Sequence, residues 1–369
     1  MRIAQLASNI EQVPPVGYGG TELIVSNLTD ELVRRGHEVT LFASGDSKTS
    51  ARLETVTKRA LRRAGELDRR WSAYELRTLL RLHEMRDQFD VVHNHMGWLA
   101  LPFLADLGLP VLTTNHNPIK PYCAPIYLEY ANLPYVAISE AYKRLNYPNE
   151  LNYVATIYNG IDVERFDKDG KNKRDYLLFI GRLCEDKGTG QAIEIARRLH
   201  VPIILAGKVD ATDQDYFEKQ IRPHLNARDV RFVGEVNHQQ KVDLYNHALA
   251  TVYPVNFDEP FGLVMAESLA SGTPVMAFDR GSVREVLSDG ETAIIGKSVD
   301  DLVARFDQLK QIDPDRCRQR VTAMFSKQRM VDAYEELYRR LVAQWPSMLQ
   351  TKGRNDVAAS ASTPIRKHA

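Results

Sequence analysis

Two glutamates, Glu259 and Glu267, bracket the run Pro260-Phe261-Gly262-Leu263-Val264-Met265-Ala266, and together they carry the chemistry most worth reading in this chain. Pro260 suits the first turn of a helix, where its missing N–H would be unpaired anyway, and Gly262 clears a side chain from a place where a ligand can approach the backbone. The free N–H groups from Phe261 through Leu263 to Val264 would then face an anion. A diphosphate is stabilised by such a helix start through its unpaired donors and the positive end of the peptide dipoles. The carboxylates are left for neutral donors. Glu259 precedes the helix and Glu267 lies about two turns inside it, so each can reach a different hydroxyl-bearing part of one ligand.

A second cluster complements this one. The apolar run Tyr176–Ile180 leads into Gly181-Arg182-Leu183-Cys184-Glu185-Asp186-Lys187-Gly188, which puts two cations just past the C-terminal edge of a strand. Ligands of open α/β sheets bind at that edge. Arg182 offers a planar fork and Lys187 a compact charge, a combination that neutralises a diphosphate without a metal. The loop Ser8 to Gly20, ending Gly17-Tyr18-Gly19-Gly20-Thr21-Glu22, places small residues before another helix. Its spacing fails the dinucleotide fingerprint, so a nicotinamide or flavin cofactor is not expected. His116, after the strand Val111–Thr113, stands at the same kind of sheet edge, where it can bond a hydroxyl. His93 and His95 are expected to point apart on a strand and, lacking a third ligand at a readable spacing, not to hold zinc. Segment 50–71 carries Arg52, Lys58, Arg59, Arg62, Arg63, Arg69 and Arg70 among interleaved leucines. It is expected either as a solvated face or as a basic amphipathic helix for an anionic surface or acceptor.

These groups must be held by two successive α/β units. The 369 residues, with 48 basic and 48 acidic side chains, suit two globular domains and exclude both a strongly basic nucleic-acid binder and an acidic solvating chain. No apolar run is long enough to span a bilayer, the N-terminus enters a strand directly, and the three widely spaced cysteines suggest reduced thiols, so the cytosol is expected. Strands are predicted at Arg2–Ala7, Val39–Ala43, Val91–His93, Val111–Thr113, Tyr135–Ile138 and Val154–Ile157, with a helix from Thr21 to Arg35 closed by Gly36. The pattern restarts with strands at Tyr176–Ile180, Pro202–Ala206, Val230–Val233, Thr251–Tyr253, Pro274–Phe278 and Ala293–Ile295. Helices are predicted between them near Thr189–Arg198, Asp213–Leu225, Gln239–His247 and Gly262–Ser271. The charged stretch 167–173 reads as the linker, and 346–369 as a disordered tail.

Taken together, these motifs resemble family 4 of the retaining glycosyltransferases over most of residues 1–345. The residues carrying the likeness are Gly17 to Glu22, His116, Tyr158-Asn159-Gly160-Ile161-Asp162, Gly181-Arg182 with Lys187-Gly188, Phe232-Val233-Gly234, and Glu259 through Glu267. The resemblance implies the GT-B fold of two facing Rossmann-like parallel-sheet domains: an acceptor-side domain 1–160, a donor domain 161–325, and a helix 326–345 returning to the first domain. It implies transfer of a hexose from a nucleoside diphosphate sugar, UDP-glucose by preference, to the hydroxyl of an unidentified acceptor, with retention and without a metal or cofactor. By the same likeness Arg182 and Lys187 hold the diphosphate, Glu267 the ribose and Glu259 the donor sugar. Main chain from Val233 to Val236 meets the base, and His116 lies across the cleft with Gly19 and Gly20. Asp186 stands where the family usually has glutamate, and no acceptor signature is legible between Pro118 and Tyr130. The alternative on the same fold is a sugar-nucleotide epimerase or a phosphorylase.

Overall fold

The computed structural model describes the backbone of residues 1–360 apart from 18, 67–69, 146, 149, 167–174 and 227, and side chains as far as Trp345. The linker expected at 167–173 and Tyr18 of the glycine loop therefore lie outside the described residues.

Seven parallel strands form the first sheet: β1 (Arg2–Leu6), β2 (Glu38–Phe42), β3 (Arg52–Glu54), β4 (Val91–Asn94), β5 (Val111–Thr114), β6 (Tyr135–Ala137) and β7 (Tyr153–Thr156). Six more form the second: β8 (Tyr176–Ile180), β9 (Ile203–Ala206), β10 (Val230–Phe232), β11 (Ala248–Tyr253), β12 (Val275–Phe278) and β13 (Ala293–Gly296). Strands β4, β5, β9, β12 and β13 are buried at every position, as short apolar runs covered by helices on both faces must be.

Strand order decides where a ligand can sit. The first sheet runs β3-β2-β1-β4-β5-β6-β7 and the second β10-β9-β8-β11-β12-β13, so the direction of winding reverses between β1 and β4 and again between β8 and β11. A crevice opens beyond the strand ends at such a reversal. The loops at these two points are Ser8–Gly19 and the His95 turn in one domain, and the Arg182–Lys187 and Pro254–Glu259 loops in the other.

The chain then crosses back. A helix spans Lys327–Ser360, and Met330, Val331, Tyr334, Leu337, Tyr338 and Leu341 are buried with Ile3, Ile24, Leu28, Val91 and Leu112 of the first domain. Its start is clasped by the Gly160-Ile161-Asp162 segment: Ile161 N–H donates to Phe325 O at 2.9 Å, Lys327 N–H to Ile161 O at 2.8 Å, and Lys327 Nζ pairs with Asp162 at 2.7 Å. Arg35 and His37 bind Glu335 from the other side.

The backbone of this helix runs on through residues 346–360, the first part of the segment read as a tail. Two expectations are corrected. Segment 50–71 is not one amphipathic helix. It divides into β3, which adds an edge to the first sheet, and a single turn at Leu61–Ala64, with Arg52 held by Glu54, Arg62 by Glu11 and Arg63 by Gln12. The helix expected over Asp213–Leu225 breaks into short turns with a π-helical stretch at Phe217–Ile221, since Pro223 withholds a donor from the ladder. No helix among the described residues is long and apolar enough to cross a membrane.

Candidate active site

The Leu263–Ala270 helix begins at Gly262, whose φ of 81° lies in the left-handed region, and no side chain caps it. Pro260 stands outside the first turn, contrary to the sequence expectation. Its carbonyl instead accepts a 2.6 Å bond from Ser139 Oγ of the first domain, so the loop is pinned across the interdomain boundary. The N–H groups of Leu263 and Val264 have no partner within the helix, by the geometry of any helix start. Phe261 is buried and supplies packing, with its ring against Tyr158 and Phe325.

Both glutamates are buried and each is matched by a lysine. Glu259, 8% exposed, accepts from Lys187 Nζ at 2.8 Å and from the hydroxyl of Tyr253 at the end of β11. Glu267, 4% exposed, accepts from Lys241 Nζ at 2.5 Å and from Tyr245 Oη at 3.2 Å. Lys187 also lies 4.5 Å from the ring centre of Phe257, which gives its ammonium an aromatic floor. Buried carboxylates need such partners, because an unpaired charge in this setting is strongly destabilising. Two positive charges and two negative ones thus flank one open helix start.

Across the cleft stands the glycine loop. A Cβ built on Gly20 would lie 3.2 Å from Leu263 Cδ1, which shows how closely the first domain approaches the start of that helix. Gly17 likewise comes close to Glu235 of the second domain. Glu285 accepts from the backbone N–H groups of Glu140 and Ala141 at 2.8 and 2.7 Å and from Tyr158 Oη at 3.0 Å, so one carboxylate of the second domain caps a helix of the first. A cavity of about 240 Å³ lies between the domains, bounded by Pro118 and Tyr142 on one side and Glu259, Pro260 and Gly281 on the other. A larger open groove of about 1010 Å³, lined by Arg197, Lys219 and His224 among others, runs outside the Thr189–Leu199 helix and includes none of Arg182, Lys187, Glu259 or Glu267.

Arg182 is not brought to either glutamate. Its guanidinium faces Asp213 at 3.4 Å and Asp210 at 3.6 Å, two acids in the loop after β9. Val233 N–H is taken by Leu205 O at 3.0 Å and Gly234 O by Gly207 N–H at 2.8 Å, so a base at this loop would meet the groups that follow, toward Val236.

His116 is joined to an unexpected partner. Its Nε2 lies 2.9 Å from His95 Nδ1, and burial holds its pKa down, to about 4. His93 and His95 are also pushed well below the ordinary histidine range by burial, so all three rings are neutral. The expectation that His93 and His95 point apart is wrong: residues two apart along a strand share a face, and their ring centres are 3.9 Å apart. Among the described residues no group of three or more His, Cys, Asp or Glu side chains is placed to hold a metal ion.

Sequence reasoning missed Lys241, Tyr245, Tyr253 and Glu285. Lys241 and Tyr245 are one helical turn apart on the His238–His247 helix and so share a face, a spacing visible in the sequence. Their target, Glu267, is set only by how two helices pack.

Two family models match the chain in succession, "Glycosyltransferase Family 4" over residues 18–165 and "Glycosyl transferases group 1" over residues 161–323. Together the two models span residues 18–323, and the chain is a glycosyltransferase built from these two domains. It is 32% identical over 200 residues to a glycogen synthase of Mycobacterium tuberculosis, covering 50% of this chain and 48% of that one. The chain thus matches about half the length of that relative. A D-inositol 3-phosphate glycosyltransferase of Corynebacterium diphtheriae is 25% identical over 391 residues, covering 88% of this chain and 90% of its own. Among solved structures, Anabaena Alr3699/HepE in complex with UDP-glucose superimposes with a TM-score of 0.73 over 92% of this chain and 100% of its own, at 16% identity. That likeness shows the shared GT-B fold, with two Rossmann-like sheets facing a cleft.

Proposed function

We propose that this glycosyltransferase moves a hexose from a nucleoside diphosphate sugar to an acceptor hydroxyl, with retention of anomeric configuration and no metal. The observation that supports it most is the pair of lysine–glutamate contacts flanking the uncapped start of the Leu263–Ala270 helix in the interdomain cleft. A diphosphate placed at that start would draw Lys187 from Glu259, releasing the carboxylate to accept from sugar hydroxyls. Glu267, held by Lys241 and Tyr245, would accept from the ribose. As the sugar departs, negative charge grows on the diphosphate, and Lys187 together with the free N–H groups stabilises that state more than the ground state. Arg182 joins them after exchanging Asp210 and Asp213 for phosphate oxygens, as a bidentate fork can. UDP-glucose is the preferred donor; it is the ligand named for the Anabaena structure, and main chain near Val236 would meet the base. His116 contributes a hydroxyl contact from the facing domain, beside Gly19 and Gly20.

A thermal-shift panel of UDP, GDP, ADP and their hexose conjugates tests the donor class, since a ligand that binds only the native state raises its apparent stability. UDP and UDP-glucose should raise the melting temperature and the other bases should not. Product analysis then tests the reaction: free nucleoside diphosphate should accumulate with a glycosylated hydroxyl compound. An intact, isomerised sugar nucleotide would overturn the reading.

A further inference from the structure

Behind His116 runs a chain of buried polar groups that reaches the returning helix. His95 links His116 to Gln5 of β1, with His95 Nε2 at 2.9 Å from Gln5 Oε1. Gln5 Nε2 donates to Tyr338 Oη at 3.0 Å, and Tyr338 Oη lies 2.7 Å from His93 Nδ1. Gln5, His93 and Tyr338 are fully buried, and His116 Nδ1 is a buried atom with no hydrogen-bond partner.

Counting protons fixes the polarity. Each neutral imidazole carries one N–H. With Gln5 Oε1 facing His95, the His95 proton must sit on Nε2, leaving Nδ1 as an acceptor. His116 must then donate from Nε2, and its own Nδ1 is a bare lone pair. The reverse polarity requires Gln5 to turn its amide, His95 to donate from Nδ1, and His116 to carry an unpaired N–H in a buried position. A buried orphan N–H is rarer and costlier than an under-used acceptor, so the first polarity is the stable one.

We propose that Gln5 and His95, anchored by Tyr338 of the returning helix, lock His116 in its Nε2–H tautomer, so that Nδ1 serves as a hydrogen-bond acceptor reserved for a hydroxyl of the bound sugar or acceptor. The hydroxyl assignment rests on the glycosyltransfer reading above; the tautomer does not. Gln5, His95 and Tyr338 are positioning residues, since they act on the ligand only through His116. The returning helix therefore does more than cover an apolar face: its tyrosine sets which nitrogen of His116 carries the proton, in the way that a second hydrogen bond generally fixes an imidazole tautomer.

The test is long-range ¹H–¹⁵N correlation spectroscopy on histidine-labelled protein, with the His116 signals identified by their loss in His116→Asn. Wild type should show a single Nε2–H tautomer for His116 between pH 6 and 8. Gln5→Leu and Tyr338→Phe should each give a mixture of tautomers, with kcat/KM reduced by up to roughly tenfold, the effect of weakening one hydrogen bond to a ligand hydroxyl. A His116 Nδ1–H in wild type, or an unchanged single tautomer in both disrupting variants, would overturn the proposal. Should Gln5→Leu fail to fold, Tyr338→Phe decides alone. Absence of transfer activity with every donor would refute the function while leaving the tautomer readable.

Discussion

The Lys187–Glu259 pair is predicted to serve both stability and turnover, and a double-mutant cycle separates the two. At 2.8 Å and an effective dielectric of ~20, the gross Coulomb attraction is about 6 kcal/mol. Side-chain exposures of 18% and 10% mean that desolvation offsets most of this, leaving a net coupling of about 1.5–3 kcal/mol for a charge-assisted hydrogen bond. Lys187→Ala leaves Glu259 with the Tyr253 hydroxyl but no cation, so the variant should lose about 2–4 kcal/mol in urea unfolding at pH 7. Glu259→Gln should cost less, and the double variant Lys187→Ala with Glu259→Gln should recover much of the loss. Turnover behaves differently. It should fall roughly 100-fold or more in every variant lacking Lys187, because the transition-state diphosphate loses a cation whether or not the apo pair is repaired. A coupling energy under about 0.5 kcal/mol would refute the electrostatic reasoning. Unchanged turnover without Lys187 would refute its assignment.

Other parts of the structure make independent predictions. Glu75 is 2% exposed, accepts from Ser8 Oγ and Asn9 N–H with one oxygen, and leaves the other unpaired; burial raises its pKa to about 7. Because the folded value exceeds the unfolded one, this acid stabilises the protein fully below about pH 4.5 and loses that contribution as pH rises through 7, about 3 kcal/mol in all. The melting temperature of Glu75→Gln minus that of wild type should therefore increase from pH 5 to pH 8; a pH-independent difference would show that Glu75 is not held protonated. Gly281 has φ of 57°, and a Cβ there would stand 2.4 Å from both the N and O of Glu259. Gly281→Ala should thus displace the Glu259 loop and lower activity at least tenfold with a loss of roughly 2–4 kcal/mol, and wild-type kinetics would contradict it. Glu285→Ala removes the carboxylate that caps Glu140 and Ala141 across the domains, and should cost roughly 1–2 kcal/mol and raise protease sensitivity of the interdomain segments. Equal digestion rates would exclude that role.

Much of this architecture was legible because parallel sheets announce themselves as short apolar runs. β1, β8 and β9 fall within a residue or two of where alternation and length put them, and the stripe Met330, Tyr334, Leu337 and Leu341 marks the face that returns to the first domain. β3 escaped notice because an edge strand of three residues, two of them charged, has no apolar signature. At the site, Glu259, Glu267 and Lys187 were readable from residue type beside helix and strand ends. Their partners were not. Tyr253, Lys241 and Tyr245 reach the glutamates through side-chain directions fixed only when β11 and the His238–His247 helix pack against the Leu263–Ala270 helix. Arg182 shows the converse: its type suggested a phosphate ligand, yet local geometry hands it to Asp210 and Asp213. His95 was misread by a simple error of period, two residues along a strand being on one side and not opposite sides.

The most direct measurement is a crystal structure of the protein soaked with the nucleoside diphosphate sugar that gives the largest thermal shift. The diphosphate should lie at the start of the Leu263–Ala270 helix, with Leu263 and Val264 N–H and Lys187 Nζ within hydrogen-bond distance, the ribose on Glu267 and the hexose beside Glu259. A nucleotide seated instead in the outer groove beside Arg197, or one leaving the Lys187–Glu259 contact intact with no phosphate at the helix start, would contradict the account.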